Sequence, residues 1–335
     1  MSDPNKLKEV KRIGRQDIPF CLARVPDSGR IFFGSSDYKV YDANLADEKP
    51  NDTVKELAGH NSYVLGAALA GNKLVTGGYD RNLIWWDTEK HEKIRSVEQA
   101  HKRLIRGVVA SPDEKRIASV ADDMVCRIWD SESGTLLHEL RGHLEETPHN
   151  YPSMLYACTF SPDGKLLATG DKVGHVVIWD IDKGTKVTSF ESPENYTWDP
   201  KARRHSIGGI RSLQFSPDGK LLAVGGMGHV GNIDHLGGKS LVQVYDWNSG
   251  ERKNEFQHDK RKGLVETLRF HHEGKWLLAG GGDNGGFFLF MDLNENKYIR
   301  EEDAKSHIHD FALNENSDTI YAVGHSSLSV WEMKE

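Results

Sequence analysis

The chain has 335 residues with 50 acidic against 43 basic side chains, a formal net charge of −7, 33 glycines and three cysteines. That balance argues against whole-surface binding of nucleic acid or anionic membrane. No stretch approaches the ~18 apolar residues of a membrane helix, and the start Met1-Ser2-Asp3-Pro4 is polar where a secretion signal would be apolar. The expected location is therefore cytoplasmic, and Cys21, Cys126 and Cys158, without metal-ligand spacing, read as reduced core thiols.

In chain order, Leu7 to Ile13 predicts a strand, and seven units follow. Each rises to an apolar stretch that ends in a bulky residue and an acid: Val40-Tyr41-Asp42, Trp85-Trp86-Asp87, Ile128-Trp129-Asp130, Ile178-Trp179-Asp180, Val244-Tyr245-Asp246, Phe290-Met291-Asp292 and Val330-Trp331-Glu332. A histidine opens most units: His60, His101, His143, His258 and His307. The repeats stand roughly 40 to 50 residues apart, with one longer step from the fourth to the fifth, a period that suits one four-stranded sheet each. In the fourth unit the predicted strands are Leu155 to Phe160, Leu166 to Thr169, Val176 to Trp179 and Lys186 to Phe190, here lettered a to d. Ser161-Pro162-Asp163-Gly164 is the turn between the first two, because proline presets φ and glycine tolerates the final corner. The seventh unit ends after Trp331-Glu332 without a strand d.

Two copies of Phe-Ser-Pro-Asp-Gly-Lys-Leu-Leu-Ala, at Phe160 to Ala168 and Phe215 to Ala223, and a worn copy at Ala110 to Ala118 accompany these markers. In these motifs the chain resembles the WD-repeat β-propeller family over nearly its whole length. The resemblance implies an all-β fold: one seven-bladed β-propeller domain of four-stranded antiparallel blades over residues 1–335. Residues 1–13 would supply the strand missing from blade seven and close the ring, since an open edge would template aggregation.

The resemblance also implies that His, Ser or Thr, Asp and Trp pin each blade through a buried network. Blade two offers His60, Thr76, Asp80 and Trp86; blade three offers His101, Ser119, Asp123 and Trp129. Blade four offers His143, Thr169 and Trp179, with Val173 where the Asp is expected. The acids ending the repeats, Asp42, Asp87, Asp130, Asp180, Asp246 and Asp292, occupy equivalent turns on different blades and read as turn formers. Gly226 to Gly231 and Gly280 to Gly285 match a dinucleotide fingerprint in letters only, for strands flank both and no helix follows. No cofactor is expected.

Three insertions, Leu144 to Ser153, Ser192 to Ile207 and Met227 to Ser240, fall in loops that share the top face in this fold. Long loops on a rigid scaffold carry function disproportionately. Basic clusters join them at Lys102-Arg103, Lys201 with Arg203-Arg204, and Lys260-Arg261-Lys262, while Arg106, Tyr156 and Arg211 align early on strand a. Together Arg103, Arg106, Tyr151, Tyr156, Tyr196, Trp198, Arg203, Arg204, Arg211 and Arg261 make a cationic, aromatic candidate surface over blades three to six. The reading is a non-enzymatic scaffold or recognition module, a monomer or a subunit of a larger assembly. Its partner would be an acidic or phosphorylated protein segment, with no membrane or specific nucleic acid. The alternative is a metal-dependent, hydrolase-type propeller enzyme using His229, Asp234 and His235, with His149 or His205 completing the site.

Overall fold

The computed structural model describes residues 2–201 and 204–334, with the side chain of Asp259 left out. Its strands form seven four-stranded antiparallel sheets, and the chain is a seven-bladed β-propeller. The innermost strands are Pro19–Arg24, Val64–Ala70, Ile105–Ala110, Leu155–Phe160, Ser212–Phe215, Leu264–Phe270 and Ile308–Leu313. Blade four follows the sequence expectation closely, with strands at Leu155–Phe160, Leu166–Asp171, His175–Asp180 and Thr185–Glu191.

Two compact units make up the chain: Met1–Ser119 with Ile128–Leu137 and Ile308–Glu335, and Val120–Arg127 with His138–His307. In the first, Lys8–Gly14 pairs antiparallel with Ser327–Glu332 and completes blade seven. Ile13 packs there into a core with Leu22, Phe33, Tyr41, Leu328 and Val330, so the closing strand is held by apolar burial as well as by its ladder. In the second, the sheets of blades four and five share a core of Ala168, Val176, Ile178, Ile210, Leu213, Phe215 and Val224.

The turns explain why the repeated motif is spelled as it is. The Ser161 hydroxyl donates to Asp163 at 2.6 Å and accepts the Leu166 amide at 2.9 Å, while Gly164 takes φ +71. Ser216, Asp218 and Gly219 repeat that arrangement in blade five.

A buried chain of hydrogen bonds fixes blade two. Trp86 Nε1 donates to Thr76 Oγ1 at 2.8 Å, His60 Nε2 lies 2.8 Å from the same oxygen, and His60 Nδ1 lies 2.9 Å from Asp80 Oδ2. The carboxylate can only accept, so Nδ1 carries the proton and Nε2 receives the threonine hydroxyl. Burial alone would raise the Asp80 carboxyl. The His60 bond and the amides of Asn61 and Asn82 nevertheless hold it below its usual range.

Blade three repeats the centre of this chain, with Trp129 Nε1 and His101 Nε2 both on Ser119 Oγ at 2.9 and 2.8 Å. Asp123 accepts from Arg127 at 2.9 Å and from the Val125 amide at 3.3 Å.

Blade four corrects the sequence reading. Val173 leaves no gap, because the acid comes two residues earlier: His143 Nδ1 meets Asp171 Oδ2 at 2.9 Å, with Nε2 on Thr169 and Trp179 Nε1 on Thr169, each at 2.8 Å. Asp171 ends its strand and is 1% exposed. Burial, opposed by the Asp171 bond, pushes the His143 imidazole below its ordinary value.

Two outcomes follow from this architecture. Removing residues 2–14 exposes the Ser327–Glu332 edge, and the truncated chain should melt well below the full chain and elute as aggregate; an unchanged melt with monomeric elution would contradict the closing role. Asp171→Ala should cost roughly 1 to 3 kcal/mol in urea unfolding by stranding His143, whereas Val173→Ala should cost less; equal effects would refute the assignment.

Candidate functional site

The three insertions are packed against one another. Residues 144–153 double back, with the Thr147 amide on Tyr151 O at 2.7 Å and the Ser153 amide on Glu145 O at 2.8 Å. Residues 192–207 form a short turn at Pro193–Asn195 and then a hairpin, Tyr196–Asp199 against His205–Gly208. Strand alternation puts Tyr196 and Trp198 on one side and Thr197 on the other. Thr197 is buried, and its hydroxyl accepts the Val230 amide of the third insertion at 3.1 Å. Val230 joins Met227 and Leu264, with Ile207 and Leu236 packed on them. Beneath the hairpin, fully buried Asn195 donates to Ser192 Oγ at 2.9 Å, and Ser192 donates to Gln243 at 2.5 Å.

On the outward side the aromatic residues converge. The His149 imidazole stacks on Trp198 with centroids 4.3 Å apart and planes 11° from parallel, and its Nδ1 is 3.0 Å from the Tyr196 hydroxyl. Tyr151 lies 5.4 Å from Trp198 and 5.5 Å from His205. His149, Tyr151, Tyr196 and Trp198 are half-buried and His205 is exposed. The cluster offers flat stacking faces, hydroxyls and imidazole nitrogens, which is equipment for binding a side chain or a peptide.

The basic residues divide. Arg211 lies 3.8 Å over the Tyr156 ring, with its Nε buried and unpartnered among the described residues, and Tyr156 donates to the Met154 sulfur at 2.8 Å. Arg204 is exposed, and Arg203 lies outside the described residues. In the other unit, Arg103 is exposed, while Arg106 lies 5.0 Å over the Tyr79 ring and donates to its hydroxyl. Arg261 departs from expectation. Lys260-Arg261-Lys262 is not a loop cluster but the end of the twelve-residue strand Glu251–Lys262, and Arg261 pairs with Asp303 and approaches Glu301 at 3.8 Å. Its charge is spent on the next blade.

The repeat-ending acids mostly build turns: Asp87, Asp180, Asp246 and Asp292 each accept one or two amides two or three residues on, and Asp130 accepts the Ser133 amide and hydroxyl. Asp42 is the exception. It is 7% exposed and receives the Arg30 guanidinium at 2.9 to 3.2 Å and His91 Nε2 at 2.7 Å, tying blade one to blade two.

The proposed metal ligands do not assemble. Exposed His229, Asp234 and His235 do not bring three ligand atoms within 4.8 Å of one another; His149 stacks on Trp198 and His205 sits tilted against Tyr151 instead. Among the described residues, the group that meets this distance is His271, His272 and Glu273. There His271 Nδ1 accepts the Glu273 amide at 3.0 Å, which uses the lone pair of the neutral imidazole.

His271 does carry a pH signature. It is 1% exposed, and burial pushes its pKa from 6.5 to about 4. As pH falls through 6.5 the unfolded chain takes up a proton that the folded chain refuses until about 4, so stability is lost across that window and is fully present above it. Urea unfolding between pH 7 and pH 4.5 should fall less steeply for His271→Gln than for wild type. Parallel curves would show that His271 does not titrate in this window.

Residues 51–87, 92–130, 134–180 and 200–230 each match the family model "WD domain, G-beta repeat". The chain is 27% identical over 270 residues to Telomerase protein component 1 of Rattus norvegicus, covering 79% of this chain and 9% of that protein. It is 27% identical over 209 residues to Eukaryotic translation initiation factor 3 subunit I of Candida albicans, covering 62% and 50%, and 23% identical over 286 residues to Protein groucho of Drosophila melanogaster, covering 84% and 34%. The chain thus spans at most half the length of these relatives.

Proposed function

Since the chain belongs to the WD-repeat family, we propose that it is a non-enzymatic interaction module which holds a protein segment on the platform built by its three insertions. The observation that carries this reading is the convergence of His149, Tyr151, Tyr196, Trp198 and His205 from two separate loops onto one partly exposed cluster. Folding needs the buried side of the hairpin, Thr197 and Ile207, but gains little from leaving large aromatics half in water. Such residues are the anchors that interfaces favour.

The segment is acidic or phosphorylated. Arg204 projects into solvent from the hairpin, and the Arg211 guanidinium, preset on Tyr156, presents a planar fork suited to carboxylate or phosphate. The relatives' names, a subunit of a translation initiation factor among them, are in keeping with work inside assemblies.

The test is to recover partners from the native host with the full chain and compare variants. Tyr151→Ala with Trp198→Ala should abolish recovery of the principal partner, and Arg204→Ala with Arg211→Ala should weaken it and flatten its salt dependence. Charge reversal at exposed Lys115 and Lys165, in turns between strands a and b, should change nothing. Loss through Lys115 and Lys165 with retention in the aromatic variant would overturn the proposal.

A further inference from the structure

A second aromatic surface lies in the other unit, on residues that the insertion platform does not use. Tyr63 is its hub: its ring is 5.6 Å from Phe20, 5.8 Å from Tyr38 and 5.8 Å from Tyr79. Phe20 continues the row to His309 at 5.3 Å, and Arg106 ends it over Tyr79. Tyr38 and Tyr63 remain 46% and 40% exposed, the others half-buried.

These side chains come from three kinds of position. Tyr38 and Tyr79 sit in turns between strands b and c, Tyr63 precedes a strand a, and Phe20 and His309 stand where the ladder breaks register between Pro19 and Cys21 and between Ile308 and Asp310. A residue skipped by the ladder is released from pairing and can be aimed outward.

Tyr38 is the telling member. Its φ is +73, the left-handed region, at the turn position that Gly174 fills in blade four with φ +92. A side chain there costs about 1 kcal/mol or more relative to glycine, and the Tyr38 ring recovers little of that through burial. The same turn position is left-handed without glycine at Arg81, φ +71, and at Met124, φ +61, so what singles out Tyr38 is the exposed ring it carries there.

The charges around the row are one-sided. Asp37 accepts the Tyr41 hydroxyl at 2.5 Å, Asp17 holds Arg15 at 2.7 Å, and Asp80 is engaged by His60. Arg81, two residues from Tyr79, and exposed Arg103 have no ion pair among the described residues. These acids, exposed Asp37 included, are engaged by neighbouring side chains, while the two arginines lack a partner charge among the described residues beside a strip of rings. We propose that the Phe20–Tyr38–Tyr63–Tyr79 row is a docking surface for an extended protein segment that carries acidic side chains interleaved with apolar or aromatic ones. The rings take the apolar side chains, the tyrosine hydroxyls and the two arginines take the carboxylates.

The experiment pans a phage library of random twelve-residue peptides against the full chain and measures the retained clones on variants. Retained clones should carry net negative charge and at least one large apolar residue. Tyr38→Ser with Tyr63→Ser should lower their retention about tenfold, Arg81→Ala with Arg103→Ala should lower it and flatten its salt dependence, and Trp198→Ala should leave it unchanged. Tyr38→Gly guards against misfolding: it should raise the melting temperature while still lowering retention. The proposal is overturned by basic or uncharged clones, by no clone retained above a bare support, by clones lost through Trp198→Ala, or by equal retention on the tyrosine variants. It is also overturned if a twelve-nucleotide oligouridylate, and no peptide, binds in a tyrosine-dependent way.

Discussion

One buried hydroxyl in each of blades two, three and four does more for this fold than its size suggests. Thr76, Ser119 and Thr169 each sit fully buried on strand b, each receives an indole N–H from strand c, and each meets an imidazole from the loop before strand a. Three segments distant in sequence are joined at one oxygen, and in blades two and four the chain runs on to a carboxylate. In a low-dielectric interior such a chain is strong when complete and costly when broken. It fixes strand spacing and loop entry together, and the loops it anchors are those from which exposed side chains are displayed.

The repeat made most of this legible beforehand. Blade four's strands, the Ser-Pro-Asp-Gly turns and the closing strand follow from periodicity and turn chemistry, which act over a few residues. Misreadings arose where a partner is chosen in space. Val173 held the counted position, but strand b runs two residues further than Thr169, and Asp171 meets His143 from its last residue. Asp42 looks like the other repeat-ending acids until Arg30 and His91 close on it. Arg261 seemed a loop residue because the extension of strand d across from Lys239–Asp246 leaves no mark in composition. The row around Tyr63 went unread because its members belong to different turns and strands, and no spacing in sequence joins them.

Stability and display are separated in this molecule. In the 192–207 insertion, Thr197 and Ile207 secure the hairpin on Val230, while Tyr196 and Trp198 on the alternate side stay available. Around Tyr63 the division falls between residues: His60 and Asp80 lock the blade within three residues of the exposed ring of Tyr63 and the half-buried ring of Tyr79. The displayed rings can therefore change with modest cost to the scaffold, while the locked residues cannot.

The pairing of Lys8–Gly14 with Ser327–Glu332 sets a timetable for biosynthesis. At about 5 to 20 residues per second, the closing strand leaves the ribosome roughly 15 to 65 seconds before its partner exists. Through that interval it is an unpaired strand in a crowded cell. Its sequence, Lys-Glu-Val-Lys-Arg-Ile-Gly, carries four charges in seven residues, and charge is what keeps a waiting edge from recruiting the wrong neighbour. The segment that must wait longest for its mate is built to wait alone.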